Sequence, residues 1–179
     1  MYSNKKAAAE PELSAASAPQ PGHYDIDPGR STVTFRTRHL FGLAPVRGTI
    51  TIRSGTVDIE PLTGSRVHAE IETASFRTRN SQRDRSVLSP RFLDPASYPA
   101  MIFSSGHIDA ESQVLTGTLT VRDVTQPVRL SIVHYAPSVS SFTACATARI
   151  DRTEYGVTAL RGLAGRYLDV TVEVQCVRK

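Results

Sequence analysis

Three histidines, one tyrosine and a cluster of arginines are the side chains with which this chain could do chemistry. His39, His107 and His134 share the parity of neighbouring apolar residues, so in extended strands they would point to the apolar side. Three converging imidazoles could hold zinc or iron. No H-x-H or H-x-x-x-H spacing supports that set, and no carboxylate alternates inward beside it. The sequence therefore predicts no metal site, and His39 reads as an interior or rim histidine that hydrogen-bonds a ligand or a backbone group. Either His39 or Tyr155 could act as acid or base on a small hydrophobic substrate. The G-x-S-x-G elbow, the H-E-x-x-H pair and the phosphate loops of the Walker and dinucleotide types are all missing, and no catalytic residue is assigned. Arg77, Arg79, Arg83, Arg85 and Arg91 surround Asp84. Their plain reading is a solvated helix whose charges pair locally at little gain. A sharper one puts part of the cluster at a pocket entrance, where guanidinium donors could meet a phosphate or quinone oxygen. A third is transient contact with an anionic membrane during lipid pick-up.

Any such groups must be positioned by strands. Val33 and Phe35 share a face with His39 and Phe41, while Thr32, Thr34, Arg36 and Arg38 take the other. Ala144, Ala146, Ala148 and Ile150 alternate with Thr143, Cys145, Thr147 and Arg149, and Val170, Val172, Val174 and Cys176 alternate with polar residues. Period-two alternation marks half-buried strands. Strands are predicted at 31–41, 46–53, 56–62, 66–74, 100–108, 113–122, 127–136, 142–151 and 167–177, after a short one at Tyr24–Asp27 that ends at the turn Pro28-Gly29. Residues 80–88 lack the alternation and suit a short helix, and Tyr155–Arg166 reads as a Gly-containing loop near a barrel mouth. Many strands at hairpin spacing predict an antiparallel barrel or sandwich, and closure with about eight strands leaves room for one small ligand. An inward face built partly of Ala and Gly is the first sign of a cavity.

The chain has 179 residues, 40% of them hydrophobic, which suits one domain with a sizeable core. Its net charge of +4 comes from 21 basic and 17 acidic residues that are interspersed. With no one-sign stripe interleaved with aromatics, nucleic acid is not an expected partner. Residues 1–22 are rich in Ala, Ser, Pro and Glu and are expected to be a disordered leader ahead of one domain at 23–179. They lack the apolar stretch of an export signal, so the expected compartment is the cytoplasm. Cys145 and Cys176 fall on opposite parities of their strands and are expected to be free thiols.

One ordered series of motifs is more specific. It comprises Tyr24-x-Ile26-Asp27, Ser31-x-Val33-x-Phe35-x-x-x-His39, Arg47-Gly48 and Asn80-x-x-Arg83-Asp84-x-x-x-Leu88-Ser89-x-x-Phe92-x-Asp94-x-x-x-Tyr98-Pro99. Phe103-Ser104-Ser105, Leu119-Thr120-Val121 and Ile150-Asp151-Arg152-Thr153-Glu154-Tyr155-Gly156 complete it. Over residues 23–178 the series resembles the YceI-like family of lipocalin-like polyisoprenoid-binding proteins. Ser86-Val87 and Asp123 depart from the family's common residues. The resemblance implies an all-β, eight-stranded antiparallel lipocalin-like barrel with a short helix near its mouth, and a homodimer. It also implies a bound polyprenol or isoprenoid quinone in the interior and no other cofactor. The residues expected to bind it are Phe35, His39, Phe41, Ile71, Arg83, Phe92, Phe103, Leu119, Ile132, Ala146 and Val172, with His39 and Arg83 at the polar end. The expected function is storage or transport of a long-chain hydrophobic lipid. The alternative is an enzyme acting on a terpenoid-like substrate in the same cavity.

Overall fold

A computed structural model describes residues 20–39, 42–60, 65–109, 113–160 and 162–179. Phe41 and most of the leader lie outside the described residues, as do the side chains of residues 107–109, His107 among them. The strands are β1 (Gly22–Ile26), β2 (Thr32–His39), β3 (Ala44–Ile59), β4 (Arg66–Arg77), β5 (Ala100–Asp109), β6 (Val114–Val121), β7 (Val124–Pro137), β8 (Ser141–Asp151) and β9 (Tyr167–Arg178). Among the described residues one α-helix, α1 (Ser81–Val87), follows β4, and a 3-10 turn at Arg152–Tyr155 follows β8.

Every pairing is antiparallel, and β3 pairs with β4 to close the sheet on itself. The closed barrel has eight strand positions, because β1 and β2 share one of them. Both run antiparallel to β3 and β9. β1 pairs with Thr56–Ile59 and Cys176–Arg178, and β2 pairs with Ala44–Ile50 and Asp169–Glu173. The break falls where Pro28 removes a donor and Gly29 allows the turn. Across it the Asp27 N–H donates to the Gln175 carbonyl at 2.8 Å, and the Ser31 hydroxyl accepts from the Gln175 N–H at 3.1 Å. These bonds satisfy backbone groups that the broken ladder would otherwise leave unpaired.

The strands expected at 46–53 and 56–62 are one continuous β3. A register shift between Ile52 and Ser54 moves inward parity from Ile50 and Ile52 to Val57 and Ile59. A bulge turns the strand's faces without ending it. The α1 end of the barrel carries α1, the 3-10 turn and the β2–β3 connection; the opposite end carries Gly22 and Arg178.

Candidate functional site

The inward faces enclose a cavity of about 1660 Å³. Its size follows from the strands. Eight strand positions hold the walls apart, and β8 presents Ala144, Ala146 and Ala148 inward beside Val174, Val172 and Val170 of β9. Ile71 of β4, Phe103 of β5 and Leu119 of β6 line the cavity from other staves. Drug-sized ligands occupy about 300–1,000 Å³, so this space suits a longer molecule.

At the α1 end, a compact set of hydrogen bonds explains the Asn80-x-x-Arg83-Asp84 motif. The Asn80 side chain accepts from the Arg83 N–H at 2.9 Å and caps the helix. Asp84 is buried and accepts from the N–H and hydroxyl of Thr78 at 2.9 and 2.6 Å. Arg83 donates from Nε to the Thr78 hydroxyl at 2.6 Å and from Nη2 to the Thr78 carbonyl at 3.0 Å. Two of its donors are thus committed to holding the turn before α1. The chain after α1 folds over the barrel with Phe92 and Leu93 buried, and the Arg152 guanidinium lies 5.7 Å from the Phe92 ring. Arg152 also donates to the carbonyls of Val157, Ala164 and Gly165, at 2.5, 3.2 and 2.8 Å. One side chain therefore ties the 156–166 loop to the helix cover.

Buried groups of a second kind have their protons held. Burial pushes the Cys176 thiol up to about 12 from its ordinary 9.0. Burial, then the nearby Tyr24 and Cys176, pushes Tyr135 up to about 12, and burial, then Glu154, does the same for Tyr155. Unfolded, these groups lose protons from pH 9 to 10, whereas the folded barrel keeps them, so the unfolded state binds fewer protons there. Stability is full below about pH 9 and falls as pH rises. Melting temperature should therefore decline steadily from about pH 9 to pH 11; a flat profile would show that these groups are not sealed.

The structure places Phe35, His39, Ile71, Arg83, Phe92, Phe103, Leu119, Ile132, Ala146 and Val172 on the cavity lining. His39 is half-buried at the end of β2, in register with Ala44. Tyr155 is buried in the lining with its proton retained. His134 does not keep the inward parity expected of it. A bulge between Ile132 and His134 sets His134 opposite Cys145 and brings Tyr135 opposite Ala144 instead, leaving His134 exposed where the cavity opens. Tyr135 meets Phe142 with tilted rings at 5.4 Å, and Phe142 meets Tyr24 edge-on at 5.0 Å. Ile50, Ile52, Tyr135 and Phe142 thus join the lining without having been singled out. For the two isoleucines the alternation of β3 was signal enough; for Tyr135 the bulge hid it.

A family model for the YceI-like domain matches residues 24–177, nearly the whole of the described barrel. The chain belongs to the YceI-like family. Among its relatives, the UPF0312 protein Ent638_1570 of Enterobacter sp. (strain 638) is 28% identical over 158 residues, covering 82% of this chain and 81% of that one. Protein YceI of Escherichia coli O157:H7 is 35% identical over 102 residues, 55% of this chain and 53% of the relative. The YceI-like barrel is similar in fold to BcnA of Burkholderia cenocepacia, with a TM-score of 0.68 at 19% identity over 84% of this chain and 98% of that one. It is also similar in fold to a polyisoprenoid binding domain from Saccharophagus degradans, with a TM-score of 0.64 at 13% identity over 87% and 98% of the two chains. Its barrel encloses a cavity suited to a hydrophobic ligand.

Proposed function

We propose that this barrel is a carrier that holds one long-chain hydrophobic lipid, a polyisoprenoid or an isoprenoid quinone, for storage or transport. The observation that carries the reading is the apolar-walled cavity of about 1660 Å³ along the barrel. Each buried methylene contributes about 0.8 kcal/mol, so a chain of many methylenes and methyls binds such a wall without polar help. Costs of ordering the ligand reduce that gain. The middle of the lining offers Ile, Leu, Val, Phe and Ala, and polar side chains such as His39, Asn80 and Arg83 stand at the rim. The fold shared with the Saccharophagus polyisoprenoid binding domain supports the choice of lipid class.

Native mass spectrometry of the purified protein is expected to show an adduct in the mass range of a lipid. Solvent extraction should release it as a polyprenyl compound. Protein that carries no extractable lipid, yet converts an added terpenoid, would reassign the cavity to an enzyme.

A further inference from the structure

We infer that the α1 end of the barrel is a docking surface for an anionic lipid bilayer, and that the carrier exchanges its cargo there; the exchange step rests on the carrier reading. Exposed apolar side chains crown this end. Leu43 between β2 and β3 is 82% exposed, and Leu160 and Leu163 in the 156–166 loop are 43% and 44% exposed. The two connections share one rim, because Gly165 packs so closely on Arg38 that a Cβ there would lie 2.2 Å from its carbonyl oxygen. Leu160 and Leu163 also line the cavity. Leu160 and Leu163 therefore belong both to the cavity wall and to the crown.

Beneath the crown lies a cationic row. On the outer face Arg47 of β3 is directly opposite Arg36 of β2, Arg36 is opposite Asp169 of β9, and Asp169 is opposite Arg149 of β8. Like charges directly opposite each other repel. Asp169 pairs with Arg149 at 3.7 Å, and among the described residues no carboxylate lies in salt-bridge reach of Arg36 or Arg47. Next to the row, the half-exposed Tyr167 sits between the guanidinium groups of Arg149 and Arg166, at 4.9 and 5.1 Å from its ring. Arg47 lies four positions beyond Leu43, which at the rise of a strand in a tilted barrel is roughly 10 Å. Apolar tips that enter a bilayer sink about 5–10 Å, so the arginines would lie among the headgroups.

Charge selects this end over the other. Val133, Val139 and Val177 are also exposed, at or near the end where the chain enters the barrel. The charges there are mixed, with Asp58 bonded to His23 and Asp25 to Lys179 beside Arg66 and Arg178. Anionic headgroups complement the arginine-rich α1 end better than the opposite one, where basic and acidic side chains are mixed.

Flotation of the intact protein with vesicles tests the docking surface. The probes are phosphatidylcholine alone and an equal mixture of phosphatidylcholine with phosphatidylglycerol. Binding is expected to the mixture only, weakening as salt is added. Arg47→Glu should lower the bound fraction about fivefold or more, from the roughly 1 kcal/mol that each basic residue gains near such a surface. Leu43→Ser should lower it as well. Both side chains are exposed and neither lines the cavity, so the lipid extracted from each variant should match the parent's. Equal binding to the two vesicles, no binding to either, or full binding by both variants would overturn the inference. So would a concentration-dependent dimer that Leu43→Ser dissolves, since the crown would then face a second copy. Extraction is read separately: a protein that floats but yields no lipid fails the carrier reading alone, and one that yields lipid but never floats fails the docking surface alone.

Discussion

Ala146→Trp should empty the barrel. Ala146 stands mid-wall on β8, in register with Ile132 on β7 and Val172 on β9. It packs against the cluster of Leu115, Val128 and Leu130. An indole at that position would project from the wall into the cavity. A small-to-large change in a filled core costs about 1–3 kcal/mol through strain. Here the new ring has room, so the protein should melt close to the parent. Loss of even about 1.4 kcal/mol of lipid affinity lowers occupancy potential tenfold, and a blocked channel removes more than that. Solvent extraction should therefore recover about a tenth or less of the parent's lipid from a variant of parental stability. Full recovery would mean that the ligand does not pass this wall.

Gly48→Ala should destabilise the barrel at its closing seam. Gly48 on β3 is directly opposite Phe35 on β2, and Phe35 stacks on Phe76 with ring centres 5.1 Å apart. A Cβ at Gly48 would lie 2.2 Å from Phe35 Cζ and 2.5 Å from the Arg77 carbonyl oxygen. The first contact could yield by tilting the ring. The second is backbone and cannot yield without opening the β3–β4 seam that closes the barrel. We expect a loss of about 3 kcal/mol, or roughly 10 °C in melting temperature for a domain of this size. Adding Phe35→Leu should recover part of it, because the ring contact is relieved and the carbonyl contact remains. Gly106→Ala, where a Cβ meets nothing within 4 Å, should leave the melting temperature near the parent's.

The alternation of β2, β4, β8 and β9 was legible because each strand holds its parity over most of its length, and the small inward residues of β8 announced the hole. Motif order announced the family. Three things were not legible, each for a physical reason. A bulge adds one residue without a compositional signature, so His134 and Tyr135 exchanged faces and β3 looked like two strands. Hydrogen-bond commitments are invisible in one dimension. Arg83 appeared as a donor for a ligand head, yet Thr78 takes two of its N–H groups. Nor does a sequence show which exposed residues share a rim. Leu43 and Leu160 are far apart in the chain, and Arg36, Arg47 and Arg149 become a row only through strand register.

The uniform hydrocarbon character of the mid-barrel wall has a consequence for selectivity. Such a wall measures length and girth but cannot read identity, since Ile71, Phe103, Leu119 and Val172 gain as much from one greasy chain as from another of equal bulk. Occupants of similar size would then compete by abundance, and the mixture carried would mirror the mixture on offer where loading takes place. Discrimination between rival cargoes would come from the supplier and the recipient, with the barrel serving as a container of set capacity.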